Sequence, residues 1–221
     1  VLTSTGSGVA WEAASGGATS INGLSDAKTF GTGSIMLGDA STGTIDAANY
    51  NTGVGVDIFA ILTSGDSNIA IGYETGKTIT SGGSNTLIGR YAGESISTQS
   101  HNVMIGHGAG SNTTSNYNVC IGGNITNQSG ENQVFIGYTA AGGANSTGGG
   151  NVFIGKAAGY AHTSGGNNVA VGMNSLNSIQ DGSSNTAVGY NAGLAITSGT
   201  QNVAVGREAL DANTEGDKNT A

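Results

Sequence analysis

Asp57 and Glu74 stand 17 residues apart, and 17 is also the dominant spacing of everything else in this chain. If residues one period apart stack on neighbouring strands, the two carboxylates lie roughly 5 Å from each other, the separation a retaining glycosidase uses. The simpler reading is a pair of solvated acids on an outer turn, and we favour it over catalysis. Lys77 and Glu94 have the same spacing and are expected to form a surface ion pair of small energetic value. A longer column holds Tyr73, Arg90, His107, Tyr138, Lys156, Met173, Tyr190 and Arg207, which takes three of the six basic residues. Such a ladder could stack Tyr73, Arg90 and His107 through cation–π contacts, present a surface recognition strip, or cover a groove between subunits. His101, His107 and His162 fall in different columns, so no metal-ligand cluster is expected, and no cofactor is implied. Cys120 is the only cysteine and cannot form an intrachain disulfide; it reads as a small buried apolar residue. No Gly-x-Ser-x-Gly or phosphate-binding loop occurs, so the chain does not read as an enzyme.

These columns exist because one phrase recurs, Asn-x-x-(Ile/Val)-Gly. It appears as Asn68-Ile-Ala-Ile-Gly72, Asn85-Thr-Leu-Ile-Gly89, Asn102-Val-Met-Ile-Gly106 and onward to Asn202-Val-Ala-Val-Gly206. Gln133 replaces Asn in one copy. Looser copies end at Gly38 and Gly55, which makes eleven. The closing glycines step by 17 except between Gly106 and Gly155, where the steps are 16, 15 and 18. A period this short and persistent predicts an all-β parallel solenoid, or β-roll, in which each repeat is one coil.

Within the phrase, three consecutive residues are apolar or β-branched, which suits a short strand buried on both faces. The flanking columns, from Ile35 and Leu37 to Val203 and Val205, are expected to line the coil interior. The middle column would then point outwards, and Leu87, Met104, Cys120, Phe135, Phe153, Ala170, Ala187 and Ala204 become a self-association face between copies of the chain. Each closing Gly suits a sharp turn. Asn can cap the preceding turn. Ile79, Ile96, Ile179 and Ile196, seven residues after the Gly, suggest a second, weaker strand. The large middle residues coincide with the irregular steps, where the shaft is expected to change width or twist.

Charged residues are only 9%, proline is absent, and the net charge is −8, which argues against nucleic-acid binding. The longest apolar run, Val54 to Leu62, contains Asp57 and is too short to insert across a membrane. Residues 1–33 lie outside the repeat and read as an adaptor that caps the first coil, with Trp11 as a packing anchor. Coils fill residues 34–221, and Asn219-Thr220-Ala221 reads as the opening of a further copy, as though this stretch ended in mid-coil.

The phrases Asn202-Val-Ala-Val-Gly206 and Tyr190-Asn-Ala-Gly193 resemble the head repeats of trimeric autotransporter adhesins. The longer period, preceded by Val1-Leu-Thr-Ser-Thr-Gly-Ser-Gly-Val-Ala-Trp11 and Leu24-Ser-Asp-Ala27, is more similar to bacteriophage tail fibres. The resemblance implies a homotrimer of parallel chains, placed on a virion tail or a bacterial cell surface. It also implies attachment to a host-surface glycan or outer-membrane receptor, and it carries over no catalytic residue. A polysaccharide depolymerase resting on Asp57 and Glu74, and an ice-binding solenoid, are the weaker alternatives.

Overall fold

A computed structural model describes residues 2–4, 9–11, 27–38, 47–126, 129–143 and 145–221. Two short strands near the start, β1 (Leu2–Ser4) and β2 (Val9–Trp11), form an antiparallel pair. The side chain of Trp11 lies outside what is described, so its anchoring role is not addressed. The solenoid proper begins with β3 (Ala27–Phe30), which runs antiparallel to β4 (Ser34–Gly38) and covers the edge of the first coil.

Ten further strands then stack in parallel, one per coil. They are β5 (Thr52–Gly55), β6 (Ile69–Ile71), β7 (Thr86–Ile88), β8 (Val103–Ile105) and β9 (Val119–Ile121). There follow β10 (Val134–Ile136), β11 (Val152–Ile154), β12 (Val169–Val171), β13 (Thr186–Val188) and β14 (Val203–Val205). Strands β3 to β14 make a single twelve-stranded sheet in strict chain order. The described residues include no helix. Asn219 to Ala221 start another turn, with Thr220 bridging to Val203. At about 4.8 Å per coil, the ladder from β4 to β14 extends roughly 50 Å.

The irregular steps leave the sheet undisturbed. Val103 pairs with Val119, Val119 with Val134 and Val134 with Val152, so the outer turns absorb every length change. The expected second strand does not form. Ile79, Ile96, Ile179 and Ile196 do face the interior, all within 1% of full burial, but their backbone is irregular and forms no strand. There, coils are joined by isolated bonds such as Thr80 N–H to the Ser97 carbonyl. Side-chain oxygens reinforce this outer side: Thr200 N–H donates to Asp217 Oδ1 at 2.6 Å, and Asn49 N–H to Asp66 Oδ1 at 2.7 Å.

The Asn of the phrase is wholly buried and forms a ladder along the inside. Asn168 shows the pattern. Its backbone N–H donates to Asn151 Oδ1 (2.9 Å), and its side-chain amide donates to the Gly182 carbonyl (2.8 Å). Its own Oδ1 accepts the N–H of Asn185 at 3.0 Å. Each Asn thus satisfies the N–H of its counterpart in the next coil, and most also satisfy a turn carbonyl, buried groups that have no water to turn to; Asn118 reaches its carbonyl through the Ser115 hydroxyl instead. Gln133 keeps the ladder unbroken with its longer side chain, accepting from Asn151 N–H at 3.0 Å. The closing glycine is equally constrained. At Gly172 φ is +134°, and a Cβ there would sit 2.4 Å from the Gly189 carbonyl oxygen of the next coil.

Candidate interaction surfaces

The structure reverses the two faces of the strand. Leu87, Met104, Cys120, Phe135, Phe153, Ala170, Ala187 and Ala204 are completely buried inside a single chain, so they are core and not a subunit interface. The flanking columns point outwards and are half-exposed; Ile69 and Ile71, for instance, are 38% and 37% exposed. The reason is parity. Asn occupies the first place in the phrase and the middle residue the third, so both project to the same side of the strand. The amide must be inside, where the unpaired turn carbonyls are, and it takes the middle column with it. That signal was available in the sequence.

Size variation in the middle column is interior packing. Phe135 and Phe153 stack at 5.1 Å with 11° between their planes. Gly159 makes room for Phe153, since a Cβ there would approach its ring to 2.3 Å. One coil later the middle residue is Ala170, and Leu176, at the place equivalent to Gly159, fills the core instead. His162 takes the interior place that Ile179 and Ile196 hold in later coils, edge-on to Phe153 at 5.3 Å. Its Nε2–H donates to the Gly165 carbonyl (2.5 Å), leaving Nδ1 to accept from the Ser146 hydroxyl (2.8 Å). Burial pushes its pKa below the usual histidine value, against a smaller opposing effect of the Gly165 bond. Burial likewise raises the Cys120 thiol to about 12, which keeps it protonated and unreactive.

Outside, the flanking columns form two continuous aliphatic and β-branched ladders along the parallel sheet. Roughly 50 Å of length by about 10 Å of width gives a strip of about 500 Å², at the upper end of what monomers normally leave exposed.

The column after the glycine borders that strip. Tyr73, Arg90, His107, Tyr138, Lys156, Met173, Tyr190 and Arg207 are all exposed there. Arg90 lies over the ring of Tyr73 at 5.7 Å, as the spacing suggested, but its closer partner is Tyr91. The guanidinium carbon sits 4.5 Å from the Tyr91 ring centre, and Nη2 donates to the Tyr91 hydroxyl at 3.0 Å. Tyr91 also meets Tyr73 edge-on at 5.8 Å and His107 at 6.2 Å. Sequence reasoning missed Tyr91 because it belongs to the next column, where a left-handed backbone (φ 61°) swings the side chain back towards the ladder. A sparser version recurs where Arg207 covers Tyr190 at 5.7 Å. Tyr138 accepts a bond from Asn124 Nδ2 at 3.3 Å instead. Lys156 is separated in the column from both ring clusters.

Asp57 and Glu74 both adopt left-handed backbone conformations at the outer corner. Glu74 is occupied by Lys77, which also reaches Glu94 at 3.0 Å, so the expected Lys77–Glu94 pair forms and is extended to a triad. The Lys77 bond, followed by one from Tyr73, holds the Glu74 carboxyl below the usual glutamate range. A general acid needs the opposite shift. The bond to Glu74, followed by the one to Glu94, raises the Lys77 pKa. His101 stacks on Tyr117 at 5.0 Å, on the other margin of the strip and away from His107.

No protein-family model, curated protein or solved structure matches this chain.

Proposed function

We propose that the chain is a structural and adhesive segment of an extracellular fibre, of the kind borne on a bacteriophage tail. In this reading three parallel copies pack along their lengths through the flanking columns, and the column after the glycine faces outwards to a host surface. The supporting observation is the half-exposed aliphatic strip, which runs from Leu37 to Val205 on a solenoid whose interior is already full. A second copy suits that strip better than an unrelated partner does. Only a chain with the same coil rise presents side-chain ridges at the same spacing over the whole length. A strip of about 500 Å² on each chain, plus its bordering columns, approaches the roughly 800 Å² per partner of a stable interface.

Ile88→Asp combined with Ile105→Asp tests the reading. Each aliphatic residue contributes about 1.5–3 kcal/mol if association buries it fully, and the buried carboxylates would repel across the axis. Multi-angle light scattering should find the wild-type chain trimeric and the variant monomeric, with the same far-UV circular dichroism. A wild-type monomer, or a variant that remains trimeric, would overturn it.

A further inference from the structure

The cluster of Tyr73, Arg90, Tyr91 and His107 has the composition of a ligand site rather than of a spacer between subunits. Three aromatic rings and one guanidinium from three successive coils are linked through Tyr91, which lies 4.5 Å from Arg90, 5.8 Å from Tyr73 and 6.2 Å from His107, at an exposed corner of the shaft. The nearby acids, Glu74 and Glu94, are both taken by Lys77. Among the described residues Arg90 has no carboxylate partner; the ion pairs there are those of Lys77 and Arg207. Its one side-chain bond is to the Tyr91 hydroxyl, made through Nη2, so most of its five N–H donors remain for a ligand.

This arrangement is unusual in a chain of net charge −8. Lys77 offsets one of the two negative charges of Glu74 and Glu94, and the rings of Tyr73 and Tyr91 hold the guanidinium in place. The result is a pre-organised, planar cationic fork set in an aromatic floor, which suits a carboxylate carried on a partly apolar ring. We infer that this corner binds a saccharide bearing a carboxylate, such as a hexuronate unit of an acidic polysaccharide. The sugar's C–H face rests on one tyrosine ring, since Tyr73 and Tyr91 meet edge to face at 68°, and its carboxylate takes a bidentate pair of bonds from Arg90. A linear polysaccharide lying along the shaft would reach the second, sparser pair of Tyr190 and Arg207 seven coils further on. This inference rests on reading the chain as a surface-contacting fibre, but its test does not depend on oligomeric state.

The probes are tetragalacturonic acid, its fully methyl-esterified form and a sulfated neutral tetrasaccharide, titrated into the full chain by calorimetry and saturation-transfer NMR. The acid should bind, with the ring protons of Tyr73 or Tyr91 giving transfer to the sugar. The ester should bind at least tenfold more weakly, because the charge-assisted bonds are lost. Arg90→Gln should lower affinity for the acid about tenfold or more and abolish the preference over the ester, while Lys218→Gln, exposed and outside this column, should change neither. Circular dichroism and light scattering on each variant separate a lost site from a lost fold or a lost trimer. Failure of the wild-type chain to bind the acid, equal binding of acid and ester, preference for the sulfated probe, or an Arg90→Gln variant with unaltered affinity would each overturn the assignment.

Discussion

His162 is the residue at which this solenoid departs furthest from its own rule. Its imidazole occupies a place that belongs to isoleucine in later coils, walled in by Phe153 and held by Ser146 and Gly165. Desolvation lowers its folded-state pKa beneath the unfolded value of about 6.5. The unfolded chain therefore binds more protons as the pH falls through that value, and the stability difference is full above it and declines below it. Wild-type denaturation midpoints should drop between about pH 6.5 and pH 5, before most carboxylates titrate. His162→Ile should remove that part of the pH dependence. An unchanged slope in the variant would mean that the histidine is not buried neutral. The acids act in a separate, more acidic window. Asp217, held low first by the Thr200 N–H, supports folding above its unfolded pKa and loses that contribution as the pH falls through its depressed folded value.

At the scale of the coil, the strand is only three residues long, too short to persist by its own ladder bonds. The buried Asn adds what the strand lacks. Asn168→Ala would leave the Gly182 carbonyl and the Asn185 N–H without their side-chain partners in a dry interior. At about 1–3 kcal/mol for each unsatisfied group, the loss should come to about 2–6 kcal/mol, read as a fall in the urea midpoint. Asn49→Ala is the contrast. Asn49 Oδ1 accepts the Thr32 N–H and its amide donates to the Ala47 carbonyl and Asp66 Oδ1, all exposed groups that water can satisfy, so the cost there should stay within about 1 kcal/mol. Equal losses at the two positions would show that the inner ladder is not special.

For the whole molecule, stability is a sum over coils and their contacts with neighbours, so a lesion in the core should break the array at that point. The stacked Phe135 and Phe153 sit near its middle. Phe135→Asp with Phe153→Asp would bury two unpaired carboxylates inside each chain. Limited proteolysis should then cut between about residues 130 and 165, whereas the Ile88→Asp and Ile105→Asp variant should remain resistant as a folded monomer. Protease-resistant Phe→Asp chains that merely fail to associate would restore the middle column as an interface.

The repeat, its eleven strands, their order and their register were legible in the sequence, because a parallel solenoid turns sequence period directly into spatial neighbourhood. For the same reason the Lys77–Glu94 pair and the Arg90–Tyr73 contact could be anticipated from a spacing of 17. What apolar character alone could not decide was which face of a three-residue strand is inside. Both faces carry aliphatic residues; the parity of the Asn with the middle column marks the inner one, and the closed coil shows why, because the turn carbonyls that need the amide lie inside. Nor does the period predict the Arg90–Tyr91 contact, since neighbouring columns converge there through a left-handed turn that only the folded backbone reveals. Along the axis, position follows from counting. Around the coil, it follows from turn geometry and from where buried polar groups find their partners, and these are properties of the closed structure.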